Sequence, residues 1–392
     1  CIFKAKIRRH GDFKDHIEYR NGNIIQSLDI HLKNGHINGI TKFKLLLPKT
    51  RGNPDDEIIL TEILRSLNIM APRTFYVTLN NQSTNSKMLF QEKAVKEFLE
   101  FNNRKESVIL EGDERYLYDD DLNHFTNSAY HFSLSKISNK KLLNKNQEYK
   151  NIMINAIAFL NEFYLEGLNY YMKEYDYDYD YSKIKNMLLD KSNAKILKNK
   201  FDIFNNIIFA SNSFHALIPH NRKFYWNAEY QSFEPIYYDG NSNILAPLDI
   251  EKLPKNKRFF SSLNTTIDLV NNLDLSEIKE NIRKNFNTEK YNEQEIILKL
   301  SKILNNLVQI KKLEKNFDIK ENNYVDYNEN LKTYFKNITE LPHQILPIFS
   351  NSTYDKFYEC AQIICKEVSF NNQNLIALLG GTYKKGEKYY QF

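Results

Sequence analysis

Two side chains able to bind a divalent cation lie near each other in the sequence. Asn221 precedes a short apolar segment at residues 223–226, and Asp239 follows a second one at residues 235–238. If these segments pair as a hairpin, Asn221 and Asp239 lie at neighbouring strand ends. Mg²⁺ binds oxygen ligands together with water and substrate phosphates, and protein kinases hold their metals with an Asn and an Asp. Asn and Asp-Gly are also common turn residues, so an ordinary turn is the alternative.

A second group of polar residues lies near the N-terminus. His10, Asp12, Asp15 and His16 combine imidazoles with carboxylates, and both are common metal ligands. A solvent-exposed loop is the alternative interpretation of the same residues. The alternating acidic and aromatic residues at 174–181 have two interpretations as well: a solvated loop, or a strip that binds a cation or a partner.

The elements that must position these residues differ between the two ends of the chain. Short alternating segments separated by Asn-Gly pairs predict hairpins over residues 2–47. Pro54 and the acidic residues after it are typical of a helix start, and apolar residues continue at helical spacing to Leu67. Further strands are predicted at 74–79, 87–90 and 107–110, with a helix at 94–101.

The rest of the chain is mainly helical. Apolar periodicity predicts helices at residues 149–171, 183–190, 194–210, 276–286 and 293–314. We therefore predict an α+β fold in three parts. These parts are a strand-rich N-terminal lobe over residues 1–115, a mainly helical lobe carrying the site over residues 116–315, and a C-terminal extension of unclear role over residues 316–392.

Composition narrows the functional class. The 392 residues are 42% hydrophobic and 14% aromatic, which is enough for a sizeable core. The formal charge is only +5 and its basic residues are interleaved with acidic ones, so we do not expect nucleic-acid binding. No apolar run approaches the ~18 residues that span a bilayer. Three cysteines give no disulfide framework. Because the chain starts at Cys1, an export signal could precede it; without one, we expect a cytoplasmic protein.

Several segments, in order, resemble the CotH-type atypical kinases of spore coats. Residues 42–72 resemble the family's strand, helix and Ala-Pro passage, and residues 88–99 resemble its strand that ends in Glu before a helix. The segment with the metal candidates matches the family in the order of four residues: Asn221, Tyr225, Pro235 and Asp239. Over residues 2–250, the resemblance implies a two-lobed, protein-kinase-like fold that binds ATP with Mg²⁺ or Mn²⁺.

The chain departs from the family pattern at two positions. The family carries an Asp a few residues before the loop Asn, but residues 214–220 contain no carboxylate. A kinase needs a base to accept the proton of the substrate hydroxyl. We predict that His215 is the substitute base, with His220 as the alternative, because imidazole titrates near neutrality. The second departure is Asn68, which stands where the family prefers Gly.

The arrangement of the nucleotide site in protein kinases also predicts residues that hold the nucleotide here. A strand Lys contacts the phosphates and a helix Glu holds that Lys, which here suggests Lys44 with Glu62. Lys42 is two residues away, on the same face of the strand, and competes with Lys44. Glu92 is the next candidate because of the family match. A solvated surface position is the alternative for either Lys.

The predicted function is transfer of the ATP γ-phosphate to Ser or Thr of a protein substrate. In this prediction Asn221 and Asp239 hold the metal, and His215 is the catalytic base. The missing carboxylate leaves two alternatives: a kinase-like surface or coat protein without catalytic activity, or a protein that binds or modifies glycans.

Overall fold

The computed structural model describes most of the strand-rich N-terminal region, the central hairpin and the helices that follow it. The described residues are 1–112 except 12–13, 21 and 82–83; 135–139; isolated residues between 142 and 160; 194–316 except 218–220, 231, 254–256 and 287–292; and strands between 344 and 368. The helix predicted at 183–190, most of the one at 149–171, and the acidic-aromatic residues 174–181 lie outside them.

The N-terminal region forms an antiparallel sheet of five strands. Its order is β1-β4-β5-β7-β6, and β2 and β3 form a separate hairpin. The strands are β1 (Ala5–Arg9), β2 (Ile17–Arg20), β3 (Asn23–Gln26), β4 (Leu28–Leu32), β5 (Lys42–Leu46), β6 (Thr74–Asn81) and β7 (Thr84–Glu92). Three stacked rings join β5, β7 and β6, with Phe90 4.4 Å from Phe43 and 4.2 Å from Phe75 between ring centroids. This strand-rich N-terminal region was predicted from the alternating pattern.

A second, four-stranded sheet contains the central hairpin. Its order is β11-β10-β8-β9, formed by β8 (Ile109–Gly112), β9 (Ser135–Ile137), β10 (Lys223–Asn227) and β11 (Ser232–Ile236). β10 and β11 are antiparallel, with Tyr225 opposite Glu234, so the predicted hairpin is confirmed. A third sheet has the order β12-β13-β14, from Gln344–Ser350, Thr353–Ala361 and Ile364–Val368. It lies in the region that the sequence left unassigned, and Cys360 and Cys365 are opposite each other in its register.

The described helices pack against the first two sheets or against one another. They are α1 (Pro54–Ser66), α2 (Lys96–Phe101), α3 (Ala194–Ala210), α4 (Lys257–Ser261), α5 (Leu263–Asn271), α6 (Leu275–Phe286) and α7 (Glu293–Leu313). The bounds of α3, α6 and α7 agree with the helices predicted from apolar periodicity. Within the described parts of the chain, no helix combines the length and the apolar character needed to cross a bilayer.

Helix α1 begins as the sequence predicts but is more deeply buried. The Asn53 side chain accepts hydrogen bonds from the amides of Asp55 and Asp56, which caps the helix. Residues 56–64 are all buried, polar ones included, because β6 and α6 both pack against the helix. Asn68 follows its end at φ +56°, a left-handed conformation that Asn tolerates, and this accounts for an Asn where Gly is otherwise favoured.

A large hydrophobic core joins residues of the first sheet and α1 to residues of α3, α5, α6 and α7, from Ile25 to Ile310. A second, smaller cluster joins Met70 and two residues of α2 to Ile109, Tyr225 and Ile236 of the second sheet. The segment after β11 meets the loop between α1 and β6, since the Tyr237 amide donates to the Met70 carbonyl at 2.9 Å. The protein is therefore a mixed α+β fold in which the strand-rich region and the later helices share a core. The boundary predicted at residue 115 falls among residues that are not described.

Candidate functional site

The site forms around the turn that follows β11. Asp239 adopts a left-handed conformation with φ +50°, and Asn241 does so with φ +51°. Between them, Gly240 leaves no room for a side chain, because a Cβ atom there would collide with the Tyr237 side chain. This tight turn directs Asp239 toward a loop between β5 and α1.

Asp239 is held between two cationic groups. The Arg51 guanidinium lies 3.1 Å from its carboxylate, and His215 Nδ1 lies 3.6 Å from the same oxygen. His215 also donates from Nδ1 to the Asp239 carbonyl at 2.8 Å. Burial alone would raise the pKa of Asp239, but the charge of Arg51 and then His215 outweigh it and keep that pKa well below its usual range. Asp239 is therefore ionised at neutral pH.

Asn221 reaches the same imidazole from the other side. Its Nδ2 atom lies 3.1 Å from His215 Nδ1 and donates to the His215 carbonyl at 3.2 Å. Three predicted site residues, His215, Asn221 and Asp239, are thus brought together. His220, the alternative base, lies outside the described residues.

His215 is more basic than an ordinary histidine. Burial disfavours its charged form, but the hydrogen bonds and charge of Asp239 outweigh burial and raise the pKa of His215. A general base must be neutral to accept a proton. The contact with Asp239 therefore favours the protonated form of His215, which is the wrong form for a base.

Lys44 joins the site through Tyr238. Its Nζ atom donates to the Tyr238 hydroxyl at 2.5 Å and lies 4.8 Å from the centre of that ring. Lys223, paired with Glu111, lies 4.4 Å from the same ring centre. Burial, and after it the charge of Lys44, lowers the pKa of Lys223 well below its usual range. Because Tyr238 precedes Asp239 directly, Lys44 brings positive charge to the residue next to the carboxylate. Such charge suits a phosphate-bearing ligand.

Two other predicted nucleotide-site residues, Glu62 and Glu92, have arginine partners away from Asp239. Glu62 is buried and forms an ion pair with Arg65 one turn along α1, so its partner is not Lys44. Glu92 is buried too and binds the Arg73 guanidinium with both oxygens, at 2.6 and 2.8 Å. A carboxylate with both oxygens occupied by a guanidinium has little capacity left for a metal or nucleotide.

The N-terminal histidines lie near the site but do not form a metal centre. The rings of His10 and His16 meet edge to face at 5.3 Å between centroids. Burial, and after it the charge of Lys44, lowers the pKa of His10 to about 3. Over the parts of the chain that can be described, no group of three or more His, Cys, Asp or Glu side chains is arranged to hold a metal. Asp12 of the proposed cluster is not described.

Two residues of the site were not expected from the sequence. Arg51 lies in the loop before α1, and Glu57 lies in the first turn of that helix; both are buried. The acidic start of α1 is explained by the helix dipole alone, so it gave no sign of a role at Asp239. One signal in the sequence could have indicated Arg51: it stands beside Gly52, and a Gly allows a loop to approach another backbone closely.

Comparisons with known proteins add no family assignment. The chain matches no protein-family model, and no curated protein sequence is significantly similar to it. A functional assignment therefore depends on the chemistry of the residues around Asp239. That chemistry is one ionised carboxylate, one amide, and several cations in a partly buried site.

Proposed function

We propose that this protein is an atypical kinase of the CotH type, which transfers the γ-phosphate of ATP to Ser or Thr of a protein substrate. The observation that supports this most is that Asp239 and Asn221 meet at His215, with Arg51 and Lys44 beside them. Phosphoryl transfer depends mainly on positioning and charge neutralisation, so few protein groups are required. A two-lobed, kinase-like arrangement of the α+β fold is part of the same proposal.

The donor set suits Mg²⁺ or Mn²⁺. Asp239 offers an ionised carboxylate, and Asn221 directs its amide nitrogen to His215, which leaves its carbonyl oxygen as the ligand atom. One carboxylate and one amide are the few protein ligands that Mg²⁺ takes when phosphates and water complete its shell. A bound cation would neutralise the charge of the triphosphate. We assign Lys44 and Arg51 to binding and orienting the phosphates.

His215 is the only base candidate among the described residues of this loop, and its environment works against that role. In its protonated form it would orient Asp239 and Asn221 and add positive charge for the phosphates. His215 can accept the proton of the substrate hydroxyl only after it has lost its own. We therefore expect any base activity to increase as the pH rises above the ordinary imidazole pKa of about 6.5.

A second candidate function follows from the same observation. The raised pKa of His215, together with the lack of a carboxylate at residues 214–220, favours a protein that binds nucleotide without transferring phosphate. In that case the chain would be a kinase-like surface or coat protein. The glycan-binding alternative gains no support from the residues around Asp239.

The test is the substitution Asp239→Asn, with calorimetric titration of ADP in the presence of Mn²⁺. Asn is close in size and tolerates the left-handed turn, so the variant removes the charge with little change in backbone conformation. We expect Mn²⁺-dependent binding to be lost in Asp239→Asn and kept in Asp268→Asn, which alters an exposed carboxylate on α5. Equal affinity of both variants would contradict the metal assignment.

An assay of phosphate transfer distinguishes the two candidate functions. The wild-type protein is incubated with ATP, Mn²⁺ and a casein-type acceptor, and phosphate incorporation is followed by mass spectrometry. Incorporation that disappears in Asp239→Asn supports the kinase. Tight Mn²⁺-nucleotide binding with no incorporation at any pH from 6 to 9 supports the binding protein instead.

A further inference from the structure

A buried carboxylate, Glu57, lies directly behind the turn that carries Asp239. It accepts a hydrogen bond from the Tyr237 hydroxyl at 2.9 Å and another from the Ser242 amide at 3.1 Å. Tyr237 lies two residues before Asp239 and Ser242 lies three residues after it. One side chain of α1 therefore binds both ends of the turn.

The turn needs support of this kind. Asp239 and Asn241 both have left-handed backbone conformations, which Asp and Asn tolerate better than most residues but which remain less favourable than right-handed ones. The Gly52 amide donates to the Asn241 side chain from the loop before α1. The loop and the first turn of α1 thus hold the segment from Tyr237 to Ser242 from one side.

We propose that Glu57 is a positioning residue of this site, which fixes the Asp239 turn through Tyr237 and Ser242. Glu57 does not touch the ligand in this proposal. Its contribution to metal binding rests on the proposed function, in which Asp239 holds the cation. Its contribution to the conformation of the turn does not depend on any ligand.

The neighbouring residue provides a matched control. Asp56 is equally buried in the same helical turn. It accepts from the Ile244 amide at 2.7 Å and forms an ion pair with Lys299 at 2.8 Å. Its contacts lie beyond the Asp239 turn. A general weakening of the start of α1 would affect Asp56→Asn and Glu57→Gln alike, whereas positioning of Asp239 predicts an effect of Glu57→Gln alone.

The experiment measures two quantities for the wild type, Glu57→Gln and Asp56→Asn. The first is amide hydrogen exchange of residues 237–242 in the ligand-free protein, and the second is Mn²⁺ affinity in the presence of ADP. Gln keeps only one acceptor oxygen, so one donor of the turn loses its partner; we expect exchange about 10-fold faster and Mn²⁺ binding about 10-fold weaker. Asp56→Asn should leave both values for this segment unchanged.

Each outcome decides a different point. Unchanged exchange and Mn²⁺ affinity in Glu57→Gln, or equal changes in Asp56→Asn, would overturn the positioning role. A wild-type protein that binds no Mn²⁺-nucleotide overturns the proposed function, while the exchange of residues 237–242 still decides whether Glu57 holds the turn. If Glu57→Gln does not fold, Tyr237→Phe removes one of the two hydrogen bonds and should change both quantities in the same direction by a smaller factor.

Discussion

At the scale of single residues, the site depends on which cations reach Asp239 and which only lie nearby. Arg51 contacts the carboxylate itself, while Lys44 contacts Tyr238, the residue before it. Lys42 and Lys44 lie on the same face of β5, but Lys44 is buried and Lys42 is only partly so. Burial strengthens the attraction between an ammonium group and a phosphate, so these two lysines should contribute unequally to nucleotide binding.

We predict that Lys44→Met weakens binding of ADP at least about 10-fold, because a charge-assisted hydrogen bond to phosphate is lost. Met retains most of the apolar length of the side chain, so the fold should persist. Isothermal titration in the presence of Mn²⁺ measures the change. Lys42→Met is the matched control and should alter the affinity less than about 2-fold. Equal losses in both variants would mean that strand β5 contributes only general positive charge.

The predicted and the missed residues of the site differ in how far their partners lie along the chain. His215, Asn221 and Asp239 belong to one hairpin, so local turn and strand patterns suffice to bring them together. Arg51 and Glu57 meet the segment after that hairpin from at least 180 residues away in the chain, and only tertiary packing creates the contact. Helix α1 carries several acidic residues, and helical periodicity cannot tell which of them faces the hairpin.

At the scale of elements, strands β6 and β7 are joined at one end by a buried ion pair. Arg73 stands just before β6, and Glu92 is the last residue of β7. Besides its two bonds to Glu92, Arg73 lies 4.0 Å from the centre of the Phe101 ring and donates to the Asn38 carbonyl at 2.6 Å. The pair therefore connects the sheet to α2 and to the loop before β5. A role of this kind concerns stability rather than nucleotide binding.

We predict that Glu92→Gln lowers the free energy of unfolding by about 3–5 kcal/mol, because it leaves the Arg73 guanidinium buried without a counter-charge. Urea unfolding followed by circular dichroism measures the loss. Under conditions in which the variant is folded, its affinity for Mn²⁺-ADP should stay within about 2-fold of the wild type.

The double variant Arg73→Met/Glu92→Met distinguishes the ion pair from the site. Replacing a whole buried pair by apolar residues is often nearly neutral, so we expect much of the stability to return. If Glu92→Gln were instead stable but unable to bind nucleotide, Glu92 would belong to the site, as the family resemblance first suggested.

The elements themselves were more predictable than their burial. Apolar spacing identified α6 and α7 because each has one face toward the core and one toward solvent. It also identified α3, although residues 201–210 of that helix have no exposed side chain. The same spacing described α1 as amphipathic, yet Asp56, Glu57 and Glu62 are buried. Glu62 pairs with Arg65 on the same helix, whereas the partners of Asp56 and Glu57, Lys299 and Tyr237, lie far away in the chain. From the sequence alone, a polar residue is predicted to be exposed unless a partner for it is known. A partner that lies far away in the chain cannot be recognised from the local sequence.

At the scale of the whole molecule, α7 connects the helices of the C-terminal part to the strand-rich N-terminal region. Lys299 of α7 forms a buried ion pair with Asp56 of α1, and apolar residues of both helices belong to one hydrophobic core. The sequence alone predicts separate lobes, because its strand-rich and helical parts follow one another along the chain. A shared core implies instead that the two parts unfold together.

The substitution Lys299→Met tests this cooperativity. It leaves Asp56 buried without its counter-ion, so we predict a loss of about 3–5 kcal/mol of stability. Trp226, the one tryptophan of the chain, is buried in β10 and reports on the second sheet. With one cooperative core, Trp226 fluorescence and far-ultraviolet circular dichroism should shift by the same amount in urea, in a single transition. Lys312→Met, which changes an exposed lysine at the end of α7, should shift neither signal. A fluorescence transition that stays at its wild-type midpoint while the dichroism splits into two steps would mean that the hairpin with Asp239 is stable independently of α1, and that residues 1–115 form a lobe of their own.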